Sequence, residues 1–366
     1  MAKEIRLPKT DLNHVNRENN FAADVTEALG LVPIVRLNQI HSTCRTHKLY
    51  LKLEACNPGG SLKEKNAAFL IKRAEKDGLL KAGGTIIESS SGNFGIGLAM
   101  VGAARGYHVM IVVDAKTAPP MRRMLSAFGA ELIDVPLSEA DANGSMQVAR
   151  MNRAASLAKE IPGAWYPCQH LNPLNPEAHH DFTAKEIEAA FHGAPDVIVV
   201  GVSTAGQLGG ISKFFRTNYP QTKIVGVDVA GSVVFGTPPK PYKMTGLGLS
   251  FVPPNYNPEL IDEAYTVDDQ LAFSMCHFLA RKEGLLLGAS TGAIVAAGLS
   301  YAMGLNQEGL NILMINPDRG DRYLETVYNH EWLEQQKIKI IGQENLEESL
   351  VALKPVPTAV LRGKRP

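Results

Sequence analysis

The chain has 366 residues, 45% apolar and 20% charged, the balance of a globular protein with room for two domains or one large α/β unit. Its 37 Lys and Arg match its 37 Asp and Glu, so no net field draws it to nucleic acid or to an anionic membrane, and neither is expected as a partner. No run reaches the roughly 18 uninterrupted apolar residues of a membrane span. The polar opening MAKEIRLPKTDLNHVNREN lacks the apolar core of a signal peptide. Cys44, Cys56, Cys168 and Cys276 form no CxxC or Cys/His cluster, so free thiols in a cytoplasmic protein without a metal site are expected.

In chain order, the first 25 or so residues read as an arm. After the punctuation of LVPIVRLNQI, KLYLKLEA reads as a strand and NAAFLIKRAEKDG as a helix with a Gly stop. TIIESS is a strand, GIGLAMVGAARG a helix ending at Gly106, YHVMIVVD a buried strand, MRRMLSAFGA a helix and ELIDVP a strand. After a middle section the alternation resumes with DVIVVGVS, LGGISKFFRTNYP, KIVGVDVAG and NILMINPD. Strand–helix alternation in two series, at about 47–136 and 195–318, points to two parallel-sheet α/β domains with a cleft between them. His179-His180 has no third ligand nearby, and TAKE (183–186) reads as a capping box. The basic, Pro-containing finish from QENLEES onward is expected to be partly disordered.

Four small-residue loops stand at or near strand ends: PGGSLK (58–63), SSSGNFG (89–95), STAGQLGG (203–210) and GASTGA (288–293). Each alone reads as an ordinary turn. STAGQLGG follows a buried strand and opens a helix, which aims backbone N–H groups at an anion. Gln207 and Leu208 stand where a P-loop needs Lys and Ser/Thr, so a small phosphate-bearing cofactor fits better than a nucleotide. Ser90, Ser91 and their neighbouring N–H groups suit a carboxylate, Asn93 a polar ring edge, and Ser290 a ring nitrogen. Lys63 stands at a helix N-terminus, where a cation is mildly unfavourable. With the four loops, its amine completes a set that matches pyridoxal 5′-phosphate (PLP) held by a lysine Schiff base.

LEACNPGGSLKEK, SSSGNFGIGLA, STAGQLGG and GASTGA, in this order, resemble the signatures of the fold-type II PLP enzymes of the cysteine synthase and cystathionine β-synthase family. The resemblance implies the tryptophan synthase β-subunit-like fold: an arm at 1–25, a smaller mobile α/β domain at 47–165, a larger one from 26–46 and 166–335, and a tail at 336–366. It also implies that Lys63 binds PLP and moves the Cα proton. Asn93 would bond the ring's 3′ oxygen and Ser290 its nitrogen. Ser203, Thr204, Ala205, Gly206 and Gln207 would enclose the phosphate, and Ser90, Ser91, Gly92 and Asn93 the substrate carboxylate.

VDVAGSVVFG, TGLGLSFVP and PDRGDRYLETVY, together with Ser203, are similar to a siderophore-pathway branch of that family. That likeness implies β-replacement on an activated L-serine, O-phospho-L-serine above all, through an aminoacrylate. The L-glutamate amine would be the nucleophile, giving N-(2-amino-2-carboxyethyl)-L-glutamate for 2,3-diaminopropionate synthesis. Gln169, His170, Arg150 and Ser203 become second-substrate candidates; Arg150 and Arg153 each read alone as a solvated helix charge, Arg150 being the better candidate, and His170 reads equally as a structural histidine. His170 departs from the family's aromatic residue, Lys65 replaces an Arg, and DRGDRY reads as structural. A cysteine synthase using sulfide with O-acetylserine or O-phosphoserine, and a non-catalytic binding protein, are the alternatives. A homodimer is the family's usual form.

Overall fold

The computed structural model describes residues 22–40, 46–141 and 144–363, so most of the expected arm, and Cys44, lie outside the described residues. The chain begins with β1 (Ile34–Arg36), β2 (Lys48–Leu53) and α1 (Lys63–Lys76). Then come β3 (Thr85–Ser89), α2 (Asn93–Arg105), β4 (His108–Asp114), α3 (Pro119–Ala127), β5 (Glu131–Val135) and α4 (Gln147–Glu160). α5 (Leu174–Ala178) runs through a π-helical turn, His179–Ala184, into α6 (Lys185–Phe191). β6 (Val197–Gly201), α7 (Gly206–Asn218), β7 (Lys223–Val229), β8 (Glu263–Val267), α8 (Asp269–Phe278), α9 (Ala289–Met303) and β9 (Asn311–Asn316) follow. The chain finishes with α10 (His330–Gln335), α11 (Gln343–Ala352) and α12 (Thr358–Leu361).

The strands form two sheets, β1-β2-β9-β6-β7-β8 and β3-β4-β5, parallel except for the β1–β2 pair. Parallel strands are covered on both faces, which is why β6 (VIVVG) is apolar at every buried position. α9 is buried nearly all round, and its length of Ala and Gly lets β6, β7, β9 and α8 approach it closely.

The strand KLYLKL falls inside the 47–165 segment expected to form the smaller unit, yet β2 pairs with β9 in the larger sheet. Both of its faces are buried there, and Lys52 is held by carboxylates rather than solvent. TAKE is no capping box: Thr183 lies inside the continuous α5–α6 segment, with its Oγ1 3.1 Å from Nδ1 of the buried His179. Within the described residues the tail packs on the larger sheet rather than running free: Leu346, Leu350 and Leu361 are buried, and the Val356 N–H donates to the Ala264 carbonyl at 2.7 Å. β1, β8 and α8 were not anticipated.

Candidate active site

A cleft of about 250 Å³ lies where the loops after β3 and β6 face each other. Its wall brings together Lys63, Ser90–Asn93, Arg150, Gln169, His170, Ser203–Gln207 and Ser290, every site residue marked in the sequence, from segments up to 227 positions apart (290 − 63).

Lys63 is the first residue of α1. The preceding turn is braced by Glu64, which accepts from the Ser61 hydroxyl at 2.6 Å and the Ser61 N–H at 3.1 Å. Burial pushes the Glu64 carboxyl up to about 7. Gly60 needs its positive φ of 85°, and a Cβ there would also sit 2.9 Å from the Arg322 guanidinium. The Lys63 amine faces the cleft, and burial pushes its pKa down to about 8. The helix N-terminus acts in the same direction. The position disfavours an ammonium and favours a neutral, nucleophilic amine.

Ala205 takes the left-handed conformation (φ 61°) just before α7 begins. That conformation turns successive N–H groups toward one point, and the first N–H groups of a helix have no intrahelical acceptor. Gly206 is required on its inner side, since a Cβ would fall 1.9 Å from the Asn175 amide oxygen. Asn175 ties this loop to the rest of the cleft: its Nδ2 donates to Thr204 Oγ1 (3.0 Å) and the Gln169 carbonyl (2.7 Å), and its Oδ1 accepts from Asn66 of α1. The Gln207 Nε2 is buried on the cleft wall with no acceptor among the described residues.

In the loop after β3, the Ser90 hydroxyl turns inward and accepts from the Gly95 N–H at 2.9 Å. The Ser90 N–H donates to the Val112 carbonyl at 3.2 Å, so Ser90 fixes the shape of the loop while Ser91 and Gly92 line the cleft. Beneath this loop, burial pushes the Glu88 carboxyl up to about 8 as it accepts from the Gln169 N–H at 3.2 Å. Asn93 Nδ2 donates to Asp318 at 2.7 Å, and Arg322 donates to Asn93 Oδ1.

Arg150, from α4, reaches the wall with one nitrogen bound to Asp114 and its buried Nε unpartnered. His170 is buried beside Phe251 with Nδ1 unpartnered. Burial, then the charges of Lys63 and Arg150, hold its pKa down to about 4, so it is neutral. Arg153 points away from the cleft toward Glu160, as a solvated charge does. Sequence reasoning missed Gln147, Asp114 and the strap 242–249. TGLGLSFVP stood out by its family likeness and not as part of the site, and nothing in the sequence pairs Asp114 with Arg150. Among the described residues, no cluster of three or more His, Cys, Asp or Glu could hold a metal, and no helix is long and apolar enough to cross a membrane.

Residues 25–318 match the family described as pyridoxal-phosphate dependent enzyme, and the chain belongs to that family. More narrowly, it is a β-replacement synthase of the cysteine synthase group. It is 35% identical over 341 residues, 93% of this chain and 98% of the relative, to the N-(2-amino-2-carboxyethyl)-L-glutamate synthase of Cupriavidus metallidurans. Among solved structures, the cysteine synthase of Entamoeba histolytica matches with a TM-score of 0.81 at 31% identity, covering 96% of this chain and 99% of that one. O-ureido-L-serine synthase matches at 0.78 and 32%, covering 90% and 99%. The O-acetylserine dependent cystathionine β-synthase of Helicobacter pylori matches at 0.77 and 32%, covering 84% and 99%.

The cleft fits PLP on its own evidence. A lysine amine with no ion pair among the described residues, a left-handed turn opening onto a helix N-terminus, and the orphaned Gln207 amide are the donors that an aldehyde and a phosphate need.

Proposed function

We propose that the enzyme joins O-phospho-L-serine to the amino group of L-glutamate, forming N-(2-amino-2-carboxyethyl)-L-glutamate for 2,3-diaminopropionate synthesis. The observation that carries the reading is the charge of the cleft: with Lys63 held as a neutral amine, its wall presents the Arg150 guanidinium, whose Nε has no partner among the described residues, and no carboxylate. Both proposed substrates are anionic beyond their α-carboxylates. The full-length likeness to a synthase named for that product supports the same choice.

PLP supplies the electron sink that makes the Cα proton removable and the β-substituent a leaving group. Lys63 holds the cofactor and, once displaced, takes the Cα proton and later returns it; an amine near pKa 8 can do both near neutral pH. Ser203, Thr204, Ala205, Gly206 and Gln207 would enclose the phosphate, Ser290 would meet the ring nitrogen as a neutral partner, and Asn93 would meet the ring's oxygen. Ser90, Ser91, Gly92 and Asn93 hold the α-carboxylate of the first substrate. Arg150, fixed by Asp114, offers its free Nε to the glutamate side chain, beside Gln169, neutral His170 and Ser203. The three-stranded sheet with its helices forms the mobile half of the cleft. The same reading makes the protein a cytoplasmic homodimer.

Phosphate release from O-phospho-L-serine, followed with glutamate, aspartate, glutamine and sulfide in turn, tests the reading. Release driven by glutamate supports it; release driven by sulfide alone contradicts it. A cysteine synthase is the second reading, favoured by the fold match to the Entamoeba enzyme.

A further inference from the structure

The DRGDRY segment does more than close the larger sheet. Asn93 can bind a ring oxygen only if its NH2 group, and not its carbonyl, faces the ligand, and a free amide presents either face. Two side chains of this segment choose. The Arg322 guanidinium donates to Asn93 Oδ1, while Asp318 Oδ2 accepts from Asn93 Nδ2 at 2.7 Å. Turning the amide over would set its NH2 against the guanidinium and its carbonyl against the carboxylate. The second hydrogen of Nδ2 is then the one left for a ligand in the cleft that Asn93 lines.

The pair is itself fixed. Tyr323 Oη donates to Asp318 Oδ2 at 2.5 Å, and the other nitrogen of Arg322 donates to the Gly59 carbonyl, four residues before Lys63. Asp318 packs so closely on Gly288, two residues before Ser290, that a Cβ there would fall 1.9 Å from its Oδ1. Three of the four loops thus converge on two side chains from a fifth segment.

We infer that Asp318 and Arg322 are positioning residues, which fix the donor face of the Asn93 amide and its place relative to Lys63. This rests on the reading that Asn93 meets the PLP ring.

The test is a double-mutant cycle read by PLP titration of the apoenzyme and by the visible absorption maximum of bound PLP, with Asn93→Ala, Arg322→Gln and the double variant. Each single change is expected to weaken PLP binding about three- to tenfold, the worth of one hydrogen bond, and to shift the absorption maximum. In the Asn93→Ala background Arg322→Gln should add almost nothing. Equal effects of Arg322→Gln in both backgrounds would overturn the inference while leaving Asn93 at the ring. No effect of Asn93→Ala on either readout would overturn both this inference and the reading beneath it. Asp318→Asn, which removes the charge and keeps the shape, runs the same cycle should Arg322→Gln fail to fold.

Discussion

Lys63 resolves a conflict between charge and place. A cation at a helix start is unfavourable, but an amine pushed down to about 8 by burial is largely free of that cost above this pH. PLP capture by the apoenzyme needs the neutral amine, so its rate should rise with pH and level off above about 8; stopped-flow absorbance across that range checks it. A plateau reached already at pH 6 would contradict the depressed amine. Arg150→Gln should raise the KM for glutamate about tenfold or more while changing phosphoserine binding little, as expected for one charged hydrogen bond. Equal losses for both substrates would remove Arg150 from the second-substrate site. The loop residues were legible because each sits in a short Gly- and Ser-containing motif that opens a helix. Asp114 and Asp318 were not, because ion pairs and amide clamps between distant segments leave no local pattern.

At the level of elements, α1 carries the Lys63 amine proposed to act in catalysis, so what anchors α1 sets the geometry of the site. Lys52 on β2, Glu54, Lys65 on α1 and Glu186 on α6 form a buried square, with Lys65 2.9 Å from Glu54 and 2.7 Å from Glu186. The two lysines balance the two carboxylates. Glu186→Ala leaves two buried ammonium groups facing one carboxylate and should cost about 3–5 kcal/mol, seen in urea unfolding. A loss below about 1 kcal/mol would show the square to be solvated. Lys65, which stands where the family has Arg, keeps its place through these two partners. Strand–helix alternation made most elements readable from periodicity. It failed for the sheet membership of β2, because parallel pairing across some 260 residues is invisible to local pattern. It failed for the tail because the burial of Leu346 and Leu350 comes from packing on a core formed earlier in the chain.

For the whole molecule, the buried carboxyls set how stability follows pH. Burial raises Glu88 and Asp228 to about 8 each, well above their unfolded values of 4.5 and 3.8. The folded state therefore holds more protons than the unfolded chain, and their contribution is full at low pH and lost as pH rises through 8. His170, depressed from 6.5 to about 4, acts oppositely and only below 6.5. The melting temperature of the holoenzyme should fall between pH 6.5 and 8, and Asp228→Asn should reduce that slope; an unchanged slope would show Asp228 ionised in the fold.

The central claim concerns what the two halves of the cleft join. Holoenzyme given O-phospho-L-serine with equal glutamate and sulfide, its products resolved by mass spectrometry, tests it most directly. The predicted result is N-(2-amino-2-carboxyethyl)-L-glutamate as the main product, absent with Lys63→Ala. Cysteine without any glutamate adduct would contradict it.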